Sequence, residues 1–316
     1  MNKLIDGISL SGEIQIVIGV ILGILVVSSL LFWTYGLFKS SPGLTELKMR
    51  TKSWWAMATL FLMAALISPI ITYIGIGFLS FAALREFYSV IQLRRTDRVG
   101  MLFCYLAIPI QYTLAYMGWY ELFIIFIPVF MFIWIPFVLV LSGETKMIMT
   151  SMAGLPTSIM LCVFGLSHMA YLISLPPIEG FAAGGKGLLL FLIFITQMND
   201  VMQFVWGKLL GRNKILPKIS PNKTWEGFLG GLLSSILIGY FMRFLTPLSE
   251  LEVILVSFLI AGVGFIGDVI VSAIKRDMGV KDMGGAIPGH GGVLDRIDSL
   301  SMTTPIFFHM VYFFAY

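Results

Sequence analysis

Long apolar runs broken by short polar interruptions fill this chain almost from end to end. A run of about 20 apolar residues is long enough to cross the hydrocarbon core of a bilayer as a helix. The first such run is Ile14 to Phe38, followed by a loop with Lys39, Lys48, Arg50 and Lys52. Trp54 to Leu93 is about twice a single span and contains Pro69. Basic clusters flank both of its ends, so it predicts two helices in a tight hairpin. Met101–Gly118, Leu122–Leu141, Ile148–Leu175 (interrupted by Pro156), Gly187–Trp206, Gly227–Leu245, Val253–Ile274 and Leu300–Tyr316 follow. The pattern predicts an all-α, polytopic transmembrane bundle of about ten helices. The N-terminal run is too long for a cleavable signal, and no Ala-x-Ala-like site follows it.

Alternating these spans puts five loops on one side: 39–53, 94–100, 142–150, 207–226 and 275–299. They hold 17 of the 21 Lys and Arg residues. The positive-inside rule makes that side cytoplasmic and places both termini outside. Localisation to the cytoplasmic membrane, with the polar chemistry on its inner face, is the expectation. No soluble domain, linker or internal repeat interrupts the bundle, which lowers the expectation of an inverted-repeat transporter.

Composition agrees with this reading. Hydrophobic residues make up 58% of the chain, charged residues only 12%, and the mean hydropathy is +0.93. The net charge of +4 is a signature of topology and gives no reason to expect nucleic acid. Cys104 and Cys162 sit alone in apolar segments and read as small buried hydrophobes, not as a disulfide or metal pair.

Against that apolar background, the 27 residues from Ser272 to Asp298 contain eight charged side chains, interleaved with glycines, Pro288 and His290. Asp268, Ser272 and Lys275 are spaced to share one face of a helix. An isolated Asp268 at the edge of the membrane calls for a cation. Asp295 and Asp298, three residues apart at the start of the last span, can also share a face. Three carboxylates without thiolate or paired histidine predict a hard-cation site, Mg²⁺ and not zinc, built from Asp268, Asp295 and Asp298. Lys275, Arg276, Lys281 and Arg296 suit phosphate oxygens, and Gly289, Gly291 and Gly292 allow backbone to approach a phosphate. Together these are the parts of phosphoryl or nucleotidyl transfer. A second polar region begins at Asn199-Asp200 and continues through Ser220-Pro221-Asn222-Lys223-Thr224 to Glu226. Its plainer readings are an Asn-Asp pair capping a neighbour and a loop closing into the next helix. His168 and His309 read as structural. Arg85 and Glu86 are adjacent and cannot face each other on a helix, so each needs a partner elsewhere.

The stretch Ser272–Asp298 resembles the signature of the phosphatidate cytidylyltransferases (CDP-diacylglycerol synthases): Ser-x-Ile-Lys-Arg, four residues, Lys-Asp-x-Gly, then Ile-Pro-x-His-Gly-Gly-Val-x-Asp-Arg-Ile-Asp. Ser220-Pro221-x-Lys223-Thr224-Trp225-Glu226-Gly227 is similar to a second element of that family. The close resemblance covers roughly the C-terminal 40% of the chain. It divides the chain into divergent transmembrane helices over 1–190 and a catalytic transmembrane region over 191–316. Two departures fall in the segment 200–214. Val-Met-Gln-Phe follows Asp200 where small residues and Ala-Tyr are usual, and Gly207-Lys208 and Gly211-Arg212 exchange the family's basic residues.

The resemblance implies condensation of CTP with phosphatidate to CDP-diacylglycerol and pyrophosphate, with Mg²⁺ and room for a second cation on Asp268, Asp295 and Asp298. Catalytic roles would fall to Asp268, Lys275, Arg276, Lys281, His290, Asp295, Arg296 and Asp298. Ser272, Lys223, Asp200, Gly291 and Gly292 would bind substrate. The expected partners are CTP, phosphatidate and the bilayer, with a second copy of the chain as the candidate for self-association. The alternatives are a CTP-dependent lipid kinase of the polyprenol type, which would release CDP, and a transporter using the acids as ion sites.

Overall fold

The computed structural model describes residues 11–38, 42–287 and 291–316. Among these the chain forms ten helices, short 3₁₀ turns aside: α1 (Gly12–Phe38), α2 (Pro42–Ile67), α3 (Pro69–Val90), α4 (Arg98–Met117), α5 (Tyr120–Val140), α6 (Ile148–Ser174), α7 (Gly184–Leu209), α8 (Trp225–Phe241), α9 (Glu250–Asp277) and α10 (Leu294–Ala315). Seven of them (α1, α3, α4, α5, α6, α7 and α9) are long and apolar enough to cross a membrane. The chain is a multispan helical membrane protein.

Pro69 makes the break predicted inside the apolar run. Ser68 is extended (φ −157°, ψ 141°) and Pro69 occupies the first turn of α3, where its missing N–H costs nothing. The loop expected over 39–53 is mostly helix instead, because α2 starts at Pro42 and runs through Lys48 and Lys52. Charge at a helix end beyond the apolar span does not break a helix. Prolines also mark two π segments. Pro128 lies inside one, Phe126–Met131 of α5, and Pro156 precedes the other, Met160–Gly165 of α6.

Large side chains such as Phe123, Phe191, Phe307 and Phe308 fill the core. His168 is buried there with its edge on Phe123 and Phe308 and Nδ1 against the Phe164 carbonyl, which is the structural place expected of it. Cys104 and Cys162 are buried and free. The perimeter is apolar and exposed, as at Leu31 and Trp33 of α1.

The four C-terminal helices lie side by side in chain order. Their close approach depends on small residues. Gly227, Gly231, Ser235 and Gly239 recur every fourth residue of α8 and are all buried. A Cβ on Gly227 would lie 2.7 Å from the Gln203 carbonyl and 3.0 Å from the Cα of Gly207, both on α7. Ser235 Oγ donates to Asn199 Oδ1 at 3.2 Å, and Asn199 Nδ2 donates to the Ala261 carbonyl at 3.2 Å, which ties α7, α8 and α9 together. Between α9 and α10, a Cβ on Gly267 would meet the Asp298 carbonyl at 2.9 Å. That absence of a side chain brings Asp268 and Asp298 to one place.

One antiparallel hairpin interrupts the all-helical reading: β1 (Lys214–Leu216) pairs with β2 (Ser220–Thr224), with Lys214 opposite Thr224. Thr224 then caps α8 by accepting from the Gly227 amide at 3.1 Å.

Candidate active site

The 28-residue α9 is about 42 Å long, more than the roughly 30 Å hydrocarbon core requires, so its polar C-terminal turns can stand clear of the apolar layer. Those turns carry Asp268, Ser272, Lys275 and Arg276. Asp268 Oδ2 is 2.6 Å from Lys223 Nζ at the end of the hairpin, and Oδ1 accepts from Ser272 Oγ at 3.2 Å. Lys223 Nζ also donates to Gln203 Oε1 at 3.1 Å and stands 5.2 Å from the centroid of the Phe265 ring. Burial pulls the Lys223 ammonium down, but Asp268, Asp200 and Asp298 together outweigh burial and hold it above the ordinary lysine value. Asp200 accepts from Ser299 Oγ at 3.4 Å, and Asp298 Oδ1 accepts from the Ser299 amide at 2.8 Å. Asp200, Asp268, Asp298, Ser272 and Lys223 therefore form one cluster, contributed by α7, α9, α10 and β2.

Asp295 does not join it. Its Oδ1 takes Lys275 Nζ at 2.7 Å, and its Oδ2 takes the backbone amides of Met283 at 2.8 Å and Gly292 at 2.9 Å. Three-residue spacing places two side chains on adjoining faces, but Asp295 stands in the first turn of α10 and reaches back to the loop before it. Asp200 stands in the acidic group where the sequence spacing put Asp295. Lys275 is buried with Asp295, and Asp298 lies within the electrostatic reach of Lys275, so the two groups adjoin.

Arg276 donates to the carbonyls of Ile219 at 3.2 Å and Val280 at 3.3 Å, fastening α9 to the hairpin turn. Lys281 is exposed. Arg296 Nε is buried and has no partner among the described residues. Gly291 has φ +82°, a conformation that favours glycine, and its carbonyl accepts from the Ile287 amide at 2.9 Å. The Gly292 amide is taken by Asp295, so it faces a carboxylate of the protein in this conformation. His290 lies outside the described residues.

Two residues outside the predicted set belong to the site. Gln203, in the segment that departs from the family pattern, holds Lys223 through Oε1, and its Nε2 is buried without a partner among the described residues. Glu86 finds its partner across the molecule: Oε1 accepts from the Val293 amide and Oε2 from the Leu294 amide, both at 2.9 Å. A carboxylate inside an apolar helix signalled that a partner exists. Nothing local named one more than 200 residues away.

The donor set is all oxygen, which suits a hard cation. Among the described residues no three His, Cys, Asp or Glu side chains are grouped closely enough to hold a metal ion by themselves. Mg²⁺ characteristically takes one or two carboxylates and completes its shell with water and substrate phosphates. The pair Asp268 and Asp298, with Asp200 beside it, fits that habit.

The fold and this cluster define an integral-membrane helical protein with an acidic and basic site at the end of its bundle. The Cytidylyltransferase family model matches residues 48–314, and the chain belongs to that family. It is 39% identical over 275 residues to the uncharacterized protein YnbB of Escherichia coli K12, covering 86% of this chain and 89% of that one. It is 41% identical over 124 residues to a phosphatidate cytidylyltransferase of Staphylococcus epidermidis, and 37% over 153 residues to one of Staphylococcus haemolyticus. These matches cover 39% and 47% of this chain, and 48% and 58% of the two staphylococcal proteins.

Proposed function

We propose that this protein is a phosphatidate cytidylyltransferase, condensing CTP with phosphatidate to CDP-diacylglycerol and pyrophosphate. The observation that carries the reading is the cluster of Asp200, Asp268 and Asp298 around Lys223, at the end of a membrane bundle that belongs to the cytidylyltransferase family. A phosphate oxygen of phosphatidate attacks the α-phosphorus of CTP. The bond from that phosphorus to the oxygen bridging to the β-phosphorus breaks, and pyrophosphate leaves. A phosphate monoester is already anionic near neutral pH, so no dedicated general base is needed, and none of the site's side chains is asked to remove a proton. The work is positioning and charge neutralisation.

Lys223, Lys275, Lys281, Arg276 and Arg296 supply positive charge for the triphosphate and the lipid phosphate, and Ser272 and Gln203 orient Asp268 and Lys223. Gly291 and Gly292 shape the loop beside the phosphates, and His290 orients one of them. Asp268 and Asp298 would hold Mg²⁺, which would supply neutralisation of phosphate charge. Asp295 serves the same site by holding Lys275 and the glycine-rich loop.

The site faces the cytoplasm of the inner membrane in this reading. The contacts of Arg94 with the carbonyls of Glu144 and Lys146, and of Arg276 with Ile219, draw four of the basic loops into two groups. Glu86, eight residues before Arg94, joins these groups at Val293. That clustering supports the positive-inside assignment, and CTP is cytosolic.

The test is Asp268→Asn, which is nearly isosteric. Given CTP, Mg²⁺ and phosphatidate, the purified wild type should make CDP-lipid, and the variant should lose about 100-fold or more with its helical content unchanged. Equal activity in the two proteins would remove Asp268 from the chemistry.

A further inference from the structure

Glu86 belongs to α3, far from either signature stretch, yet its carboxylate straddles the start of α10. The amides of Val293 and Leu294 are donors that a helix N-terminus cannot satisfy within itself. A carboxylate there makes two charge-assisted bonds and also opposes the positive end of the helix dipole.

Two glycines of the loop are explained by the same carboxylate. A Cβ on Gly284 would lie 2.8 Å from Glu86 Oε1, 3.0 Å from Cδ and 3.3 Å from Cγ, and these are its three nearest atoms. A Cβ on Gly292 would collide with Oε2 and come within 2.8 Å of Cδ. Gly284 has no left-handed backbone to protect, since Gly279 and Gly291 are the positive-φ glycines of this loop among the described residues. Its lack of a side chain serves the close approach of Glu86. The carboxylate cannot simply swing aside, because swinging aside breaks both amide bonds. Asp295 takes the amides of Met283 and Gly292 from the other side, so Met283 and the residues Gly292 to Leu294 are held by two carboxylates.

We propose that Glu86 is the positioning residue of the active-site loop. It fixes where α10 begins, and so where Asp295, Arg296 and Asp298 project. It also makes the N-terminal half of the bundle a working part of the site and not only its anchor. The activity arm of the test rests on the cytidylyltransferase reading. The loop arm does not.

The test is a double-mutant cycle on the full-length protein: Glu86→Ala, Gly284→Ala and the pair, with Glu86→Gln as the milder variant. Amide exchange at Val293 and Leu294 is one readout, and kcat and KM for CTP and phosphatidate are the other. Glu86→Ala should speed exchange at those two amides at least tenfold and lower kcat about 10- to 100-fold, the scale of a small displacement of reacting groups. Glu86→Gln, which keeps the shape but only one acceptor, should fall between. Gly284→Ala should reproduce part of the loss in the wild type and add nothing to Glu86→Ala, because its collision partner is gone. Unchanged exchange in Glu86→Ala, or losses that multiply in the double variant, would overturn the proposal. Should the wild type make no CDP-lipid, the exchange arm still decides the role of Glu86.

Discussion

Removing the ammonium of Lys223 would take from Asp268 its ion-pair partner and leave it beside the carboxylates of Asp200 and Asp298. The Lys223 and Asp268 side chains are 18% and 25% exposed, so the cost falls below that of breaking a fully buried pair. Lys223→Met should destabilise the protein by roughly 2–3 kcal/mol, measured as thermal unfolding in detergent. Lys223 titrates above its ordinary value of 10.5. A cation held up in this way contributes fully below its unfolded value and loses its contribution as pH rises through its folded one. The gap between wild type and variant should therefore persist to about pH 10 and close above that. A gap that closes already near pH 8 would mean the three acids do not hold this ammonium. Asp268 was legible as an acid in need of a cation. That its cation is Lys223, and that Asp295 turns away to its own loop, was not, because helical spacing gives a face but says nothing of what another element brings to it.

At the scale of the element, the helices were legible because membrane spans must satisfy their backbone within themselves and advertise this as apolar length. The hairpin was not. Three- and five-residue strands carry too little pattern to distinguish from a loop. What fastens it is Glu226, in the first turn of α8, which accepts from the amides of Arg212 at 3.0 Å and Asn213 at 3.2 Å, and from Asn213 Nδ2 at 2.7 Å. The backbone amide of Glu226 itself, followed by those neighbours, holds its carboxyl down at about 2. A depressed carboxyl contributes fully above its ordinary value of 4.5, and the contribution disappears as pH falls toward 2. Amide protection at Arg212 and Asn213 should thus persist unchanged from neutral pH to about pH 4.5 and weaken only below, whereas Glu226→Ala should lack it throughout. Protection lost by pH 5, or equal in the two proteins, would break this account of the loop that presents Lys223.

For the molecule as a whole, what the sequence could not show is how its two halves meet. The C-terminal signature names most of the site, but the residue that pins its loop, Glu86, comes from the N-terminal helices, and the small-residue row of α8 sets how closely α7, α8 and α9 approach. The same bundle would serve transfer of either the nucleotidyl or the terminal phosphoryl group of CTP, and the phosphorus that reaches the lipid distinguishes the two. The direct measurement gives the purified protein, in lipid, phosphatidate and CTP labelled at the α-phosphorus or, separately, at the γ-phosphorus. α-Label should appear in the lipid product, identified by mass as CDP-diacylglycerol, with γ-label released as pyrophosphate in equal amount. Label from the γ-phosphorus in the lipid with release of CDP, or no label in lipid from either position, would contradict the proposed function.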